Sequence, residues 1–178
     1  MGYFETFGSL IEKVGPNPTI GELGCHEGSS TKALARIARE RKGLLVAIDW
    51  FEGSKVDDRF VVVPGHKEEF WNNMKEFNFV LFPVESGIAA SIIKDETFDF
   101  FWIDADHRYH AIKRDIELWL SKVKKGGILA GHDYDRDTFK EEFIERDYEE
   151  GAHHGVTKAV NEKFGKPQVV EGTWWVHV

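Results

Sequence analysis

The sequence predicts a doubly wound α/β domain on a mostly parallel, seven-stranded sheet that ends in an antiparallel hairpin. Three observations carry this reading. Short apolar runs alternate with amphipathic helical stretches, and the alternation breaks once, near the C-terminus. The 178 residues also contain no internal repeat, low-complexity tract or Pro/Gly/Ser-rich linker that would divide them. Residues 1–178 therefore read as one domain.

Taken in order, the amphipathic stretch 4–14 either covers a sheet edge or pairs two chains. Residues 19–23 form the first strand, and residues 29–41 the next helix, with Ala33, Leu34, Ile37 and Ala38 on its apolar face. The second strand spans 44–50. Residues 51–65 fit no regular element, and a helix over 66–77 follows. The third strand (79–84), a short helix (88–93) and the fourth strand (98–103) lead to a helix over 110–123 carrying Ile112, Ile116, Leu118, Trp119 and Val123. The fifth strand covers 127–130. These runs are too short for helices and several are rich in β-branched or aromatic residues, as buried parallel strands are.

Residues 134–154 are again irregular, with eight acidic side chains against three basic ones. A helix at 156–164 precedes two strands, 168–170 and 173–178, separated only by Glu171 and Gly172. So tight a connection permits only an antiparallel pair. Long excursions beyond strand ends commonly build or cover a site.

Composition narrows the function. Hydrophobic residues make up 42% and aromatics 13%, enough for a packed core. A net charge of −8 without a basic patch disfavours nucleic acid. The single cysteine, Cys25, excludes an internal disulfide and a Cys-pair zinc site, which points to a reducing, cytoplasmic setting. No apolar run approaches the roughly 20 residues of a membrane span, and the N-terminus lacks an export pattern.

In an open α/β sheet, ligands bind beyond the carboxyl ends of the strands. The first strand ends in Glu22-Leu23-Gly24-Cys25-His26-Glu27-Gly28-Ser29. Gly24 permits a tight turn and Gly28 a close approach. A dinucleotide fingerprint would need glycine at His26, and a phosphate cradle a lysine that is absent. A cofactor without pyrophosphate tolerates fewer glycines, and Glu22 suits a ligand with positive charge. Asp49, with Trp50 beside it, ends the second strand where an acid gripping ribose hydroxyls belongs. Glu85 and Ser86 close the third, where they meet an adenine edge or simply begin the next helix.

The order Glu-x-Gly-x-x-x-Gly, Asp49, Ile103-Asp104-Ala105-Asp106-His107-Arg108-Tyr109, Gly126-Gly127-Ile128-Leu129-Ala130-Gly131-His132-Asp133-Tyr134, then Gly155-Val156 and Ala159-Val160 resembles the class I S-adenosylmethionine-dependent methyltransferases. Within them it is most similar to small bacterial enzymes grouped with macrocin and sugar O-methyltransferases, methyltransferase family 24. The resemblance spans residues 19–178. It implies the Rossmann-like methyltransferase fold and a cofactor set of Glu22, Gly24, His26, Gly28, Ser29, Asp49, Trp50, Glu85, Ser86 and Asp104. The implied acceptor is a small molecule, a sugar, glycan precursor or phenol, with nitrogen acceptors also open.

Asp104 and Asp133 end adjacent strands, and carboxylate oxygens of this kind suit Mg²⁺ or Ca²⁺. In the metal-dependent relatives the matching positions hold a cation that acidifies the acceptor hydroxyl. Those relatives place Asn after the second Asp, where this chain has Tyr134, so a ligand is replaced, by His132 or by water. The alternative has Asp104 on the cofactor's amino group and Asp133 capping the next segment. His132 and His107 flank the crevice, and either can take the acceptor's proton. His153 and His154 read as an exposed loop pair, Trp119 as core. The aromatic stretch Phe51, Phe60, Phe70 and Trp71 is expected to close over the acceptor. Rival functions are a nicotinamide-dependent oxidoreductase and a non-catalytic binding module.

Overall fold

The computed structural model describes residues 3–56, 59–61, 66–146 and 148–178. In chain order the elements are α1 (Tyr3–Ile11), β1 (Thr19–Leu23), α2 (Ser29–Glu40), β2 (Leu44–Ile48), β3 (Ser54–Val56), β4 (Arg59–Val61), α3 (His66–Met74), β5 (Val80–Phe82) and α4 (Ser86–Ile92). There follow β6 (Phe98–Ile103), α5 (Tyr109–Leu120), β7 (Val123–Gly131), α6 (His154–Phe164), β8 (Gln168–Val170) and β9 (Thr173–His177).

Seven strands form one sheet in the order β5-β2-β1-β6-β7-β9-β8. The first five lie parallel, while β9 runs antiparallel to both β7 and β8, which is the hairpin the Glu171-Gly172 turn demanded. Both faces are covered. Along β6, Phe100 and Trp102 face one core with Phe7, Leu10, Ile20 and Leu34, whereas Phe101 and Ile103 face the other with Ile112, Ile116 and Trp119. That alternation is the period-two geometry of a strand buried on both sides. It breaks at Phe98, which joins the Phe101 side where the register with β7 shifts.

The expectations hold for element order and differ at boundaries. The second strand stops at Ile48; the Asp49 N–H still bonds the Phe82 carbonyl at 3.2 Å, while its carboxylate turns to backbone amides of the neighbouring turn. The α5 helix ends at Leu120, and Val123, expected in it, instead opens β7 by pairing with Phe98. Residues 51–65 were expected to be irregular, yet they contain the antiparallel pair β3–β4. The α1 helix packs Phe7 edge-on against Trp102 at 4.6 Å, so its apolar face covers the sheet within the chain. No described helix is long and apolar enough to cross a membrane.

Candidate active site

The strand order reverses direction around β1, whose neighbours are β2 and β6. At such a switch point the loops leave the sheet on opposite sides and open a crevice. The ends of β1, β2, β6 and β7 therefore bring Gly24, Asp49, Asp104 and Asp133 to one edge of the sheet.

The turn after β1 is built by the protein's own packing. Gly24 has φ +89°, and a β-carbon there would lie 2.0 Å from the Asp104 carbonyl oxygen. No other residue allows β1 and β6 to part so closely. Gly28, at φ +87°, starts α2 against Phe70. The Asp49 carboxylate accepts the N–H groups of Cys25 (2.8 Å), His26 (2.9 Å) and Phe51 (2.8 Å), which fixes the turn to the end of β2. Asp49 itself stays half-buried. Ser29 is exposed at the start of α2, and the Trp50 indole N–H donates to the Gly53 carbonyl at 2.9 Å.

Glu22 lies deeper than expected. It is fully buried below the turn, and neither carboxylate oxygen has a hydrogen-bond partner of good geometry. Burial pushes its pKa up to about 8, opposed by the nearby Ser30 and Thr31 hydroxyls and reinforced by Asp104. Cys25 is buried beside it, and burial raises its thiol well above the ordinary range, leaving no reactive thiolate.

Ser86 does not face the crevice. Its hydroxyl donates to Asp115 at 2.7 Å and accepts the Trp119 indole N–H at 2.9 Å, so its polar capacity is used in the core. Glu85 is exposed and pairs with Arg114. Of the aromatic segment, Phe70 is fully buried with Phe51 packed on it at 5.1 Å, while Trp71 is exposed. The Phe60 side chain lies outside the described residues.

A second cluster surrounds Asp133, which adopts φ +61° as it leaves β7. His107 Nε2 lies 3.0 Å from Asp133 Oδ2 and 3.3 Å from Asp104 Oδ1, and His132 Nδ1 lies 3.0 Å from Asp133 Oδ1. Burial alone would raise the Asp133 pKa, but the hydrogen bonds and charges of His107 and His132 hold it well below the usual carboxylate range. The same contacts act in reverse on His132: burial lowers its pKa, and Asp133 and Asp104 outweigh burial and raise it.

His153 and His154 are not an exposed pair. His153 Nε2 sits 3.9 Å from Asp133 Oδ1, its ring 4.1 Å from that of His107. His154 is 1% exposed; it accepts the Lys140 N–H on Nδ1 and meets the Glu149 carbonyl through Nε2, stapling the acidic excursion to α6. Tyr134 is buried and donates its hydroxyl to Asn161 at 2.9 Å. Its ring belongs to the core. Sequence reading also passed over Glu27 and His66, which gather with His26 near the turn; the His26 and His66 rings are 3.7 Å apart. Sequence distance hid both groupings.

A cleft of about 760 Å³ opens beside the cluster, lined by His132, Asp133, Asp135, Arg136, Tyr148, His153 and Glu171 among others. Its walls combine carboxylates, imidazoles, a guanidinium and a phenol. Such a surface receives a polar, uncharged molecule better than an anion.

A family described as a methyltransferase domain matches residues 22–134. No curated protein matches the chain. Among solved structures, the O-methyltransferase NovP superposes with a TM-score of 0.67 at 15% identity, covering 98% of this chain and 78% of that one. A methyltransferase from Podospora anserina, bound to SAH, gives 0.64 at 15% identity, covering 96% and 74%. The O-methyltransferase TomG from Streptomyces achromogenes, in complex with SAM, gives 0.61 at 15%, covering 98% and 79%. These superpositions show that the fold is theirs.

Proposed function

This chain belongs to the methyltransferase domain family, and from that premise we propose that it transfers the methyl group of S-adenosylmethionine to a hydroxyl of a small polar molecule. The observation that carries the acceptor chemistry is the Asp133–His132 pair at the cleft wall. Asp133, held ionised, accepts the His132 Nδ1–H, so that in the neutral ring the lone pair lies on Nε2, the tautomer a general base needs. The acceptor hydroxyl gives its proton to Nε2 as its oxygen becomes the nucleophile.

The described residues fit the cofactor. Asp49 stands at the end of β2, with its carboxylate fixed by three backbone amides yet half-exposed, and is assigned to the ribose hydroxyls. Gly24, His26, Gly28 and Ser29 form the floor, and Trp50 and Asp104 the walls. Glu22, buried and pushed toward its protonated form, lies beneath the turn. Glu85 is assigned to the rim. When bound, S-adenosylmethionine supplies an electrophilic methyl on a sulfonium, and what the protein adds is alignment, an effect worth about 7–11 kcal/mol in well-oriented systems.

The acidic lining favours an uncharged polyol or phenol over a phosphorylated acceptor. Two tests apply. Calorimetry with S-adenosylhomocysteine is expected to show binding, and its absence would end the proposal. Transfer of labelled methyl to a panel of sugars and phenols is expected for the wild type, with His132→Ala slower by about 10²–10⁴-fold; equal rates would remove the base.

A further inference from the structure

Three donors meet at the edge of the cleft from three separated stretches of chain. They are an imidazole nitrogen of His107 after β6, a carboxylate oxygen of Asp133 after β7 and an imidazole nitrogen of His153 before α6, all within 4.8 Å of one another. The side chains are about one-fifth exposed. Packing enforces the convergence. A β-carbon at Gly155 would lie 2.4 Å from the His107 carbonyl oxygen, so the glycine lets the start of α6 press against the turn that carries His107. The positive φ of Asp133 aims its carboxylate between the two rings.

We propose that His107, Asp133 and His153 form a two-histidine, one-carboxylate site for a first-row transition cation, open toward the cleft, in place of an all-oxygen magnesium site. Metal–nitrogen and metal–oxygen bonds of about 2.0–2.2 Å bring donors to separations like those found here. Imidazole suits zinc, iron, cobalt or nickel, whereas Mg²⁺ favours oxygen ligands and its own water. His132 forms the outer shell against Asp133, while Asp104 Oδ1 lies 3.3 Å from the same His107 Nε2 that approaches Asp133 and so stands beside the ion's position. Such outer partners orient ligands and tune the ion. Three protein ligands leave coordination positions for acceptor oxygens from the cleft. This use rests on the methyltransferase reading, although binding of the ion does not.

The probe is Co²⁺, followed by its visible absorption on tag-free, metal-stripped full-length protein, with Mg²⁺ and Zn²⁺ as competitors. One Co²⁺ per chain is expected, displaced by Zn²⁺ and unmoved by a large excess of Mg²⁺. His132→Gln should weaken binding by about 10–100-fold, the usual effect of an outer-shell loss, and His153→Ala and His107→Gln by more. His66→Ala reports on the other histidine cluster and should leave the spectrum unchanged. Thermal unfolding of each stripped variant confirms that it is folded. Co²⁺ binding no tighter than Mg²⁺ binding, or a signal lost in His66→Ala and kept in His153→Ala, overturns the site. S-adenosylhomocysteine calorimetry on the stripped protein separates the two claims. Binding of that ligand without Co²⁺ binding defeats only the metal site, and the reverse defeats only the methyltransferase reading.

Discussion

Replacing Glu22 with Gln is expected to make the protein resist alkaline pH. In the folded chain burial lifts this carboxyl from 4.5 to about 8, while in the unfolded chain it returns to its ordinary value. Between those values the unfolded chain has already released a proton that the native chain still holds, so stability falls as pH rises. The loss begins as pH climbs through the unfolded value and is complete above the folded one. At about 1.4 kcal/mol per pH unit, this span corresponds to about 5 kcal/mol. Gln has nearly the same shape and no proton to lose. Urea unfolding of both proteins at about pH 5 and about pH 9 should show the variant's advantage growing by several kcal/mol, or roughly 10–20 °C in Tm for a chain of this size. Parallel stability curves for the two proteins would refute the reasoning, since they would mean that Glu22 ionises below its turn as easily as in water.

Three further substitutions test the frame of the site. Ser86→Ala strips Asp115 and the Trp119 indole of a shared partner and should cost about 1–3 kcal/mol in urea unfolding, with cofactor affinity unchanged. Gly24→Ala combines left-handed backbone strain with a clash against the Asp104 carbonyl; a loss above about 3 kcal/mol is expected, and a loss under about 1 kcal/mol would show that β1 and β6 part more widely. Asp49→Ala frees the amides of Cys25, His26 and Phe51. Stability should fall by about 1–3 kcal/mol, and S-adenosylhomocysteine affinity by tenfold or more in calorimetry, the equivalent of about 1.4 kcal/mol.

Much of this molecule is legible from short-range pattern. Runs such as Phe98–Ile103 and Leu44–Ile48 declare buried strands because both faces of a parallel sheet must be apolar. The hairpin of β8 and β9 follows from its two-residue turn. Asp49, Asp104 and Asp133 fall at strand ends because the topology of such a sheet sends the carboxyl end of each parallel strand to one edge. These inferences need only neighbours in the chain.

What the tertiary structure alone decided concerns side chains with more than one physically sensible fate. Ser86 begins a helix and looks ready to cap it or touch a ligand; whether Asp115 and Trp119 claim its hydroxyl depends on how α4 meets α5. Glu22 reads as a strand-end acid, yet the depth of the turn above it sets whether it is charged. His153 and His154 are adjacent in sequence and opposite in role, one beside Asp133 and the other a buried staple, because successive residues entering a helix point in different directions. Periodicity specifies which elements form and which faces are apolar; the meeting of His107 with His153 is fixed only by the close contact that Gly155 allows between α6 and the turn after β6.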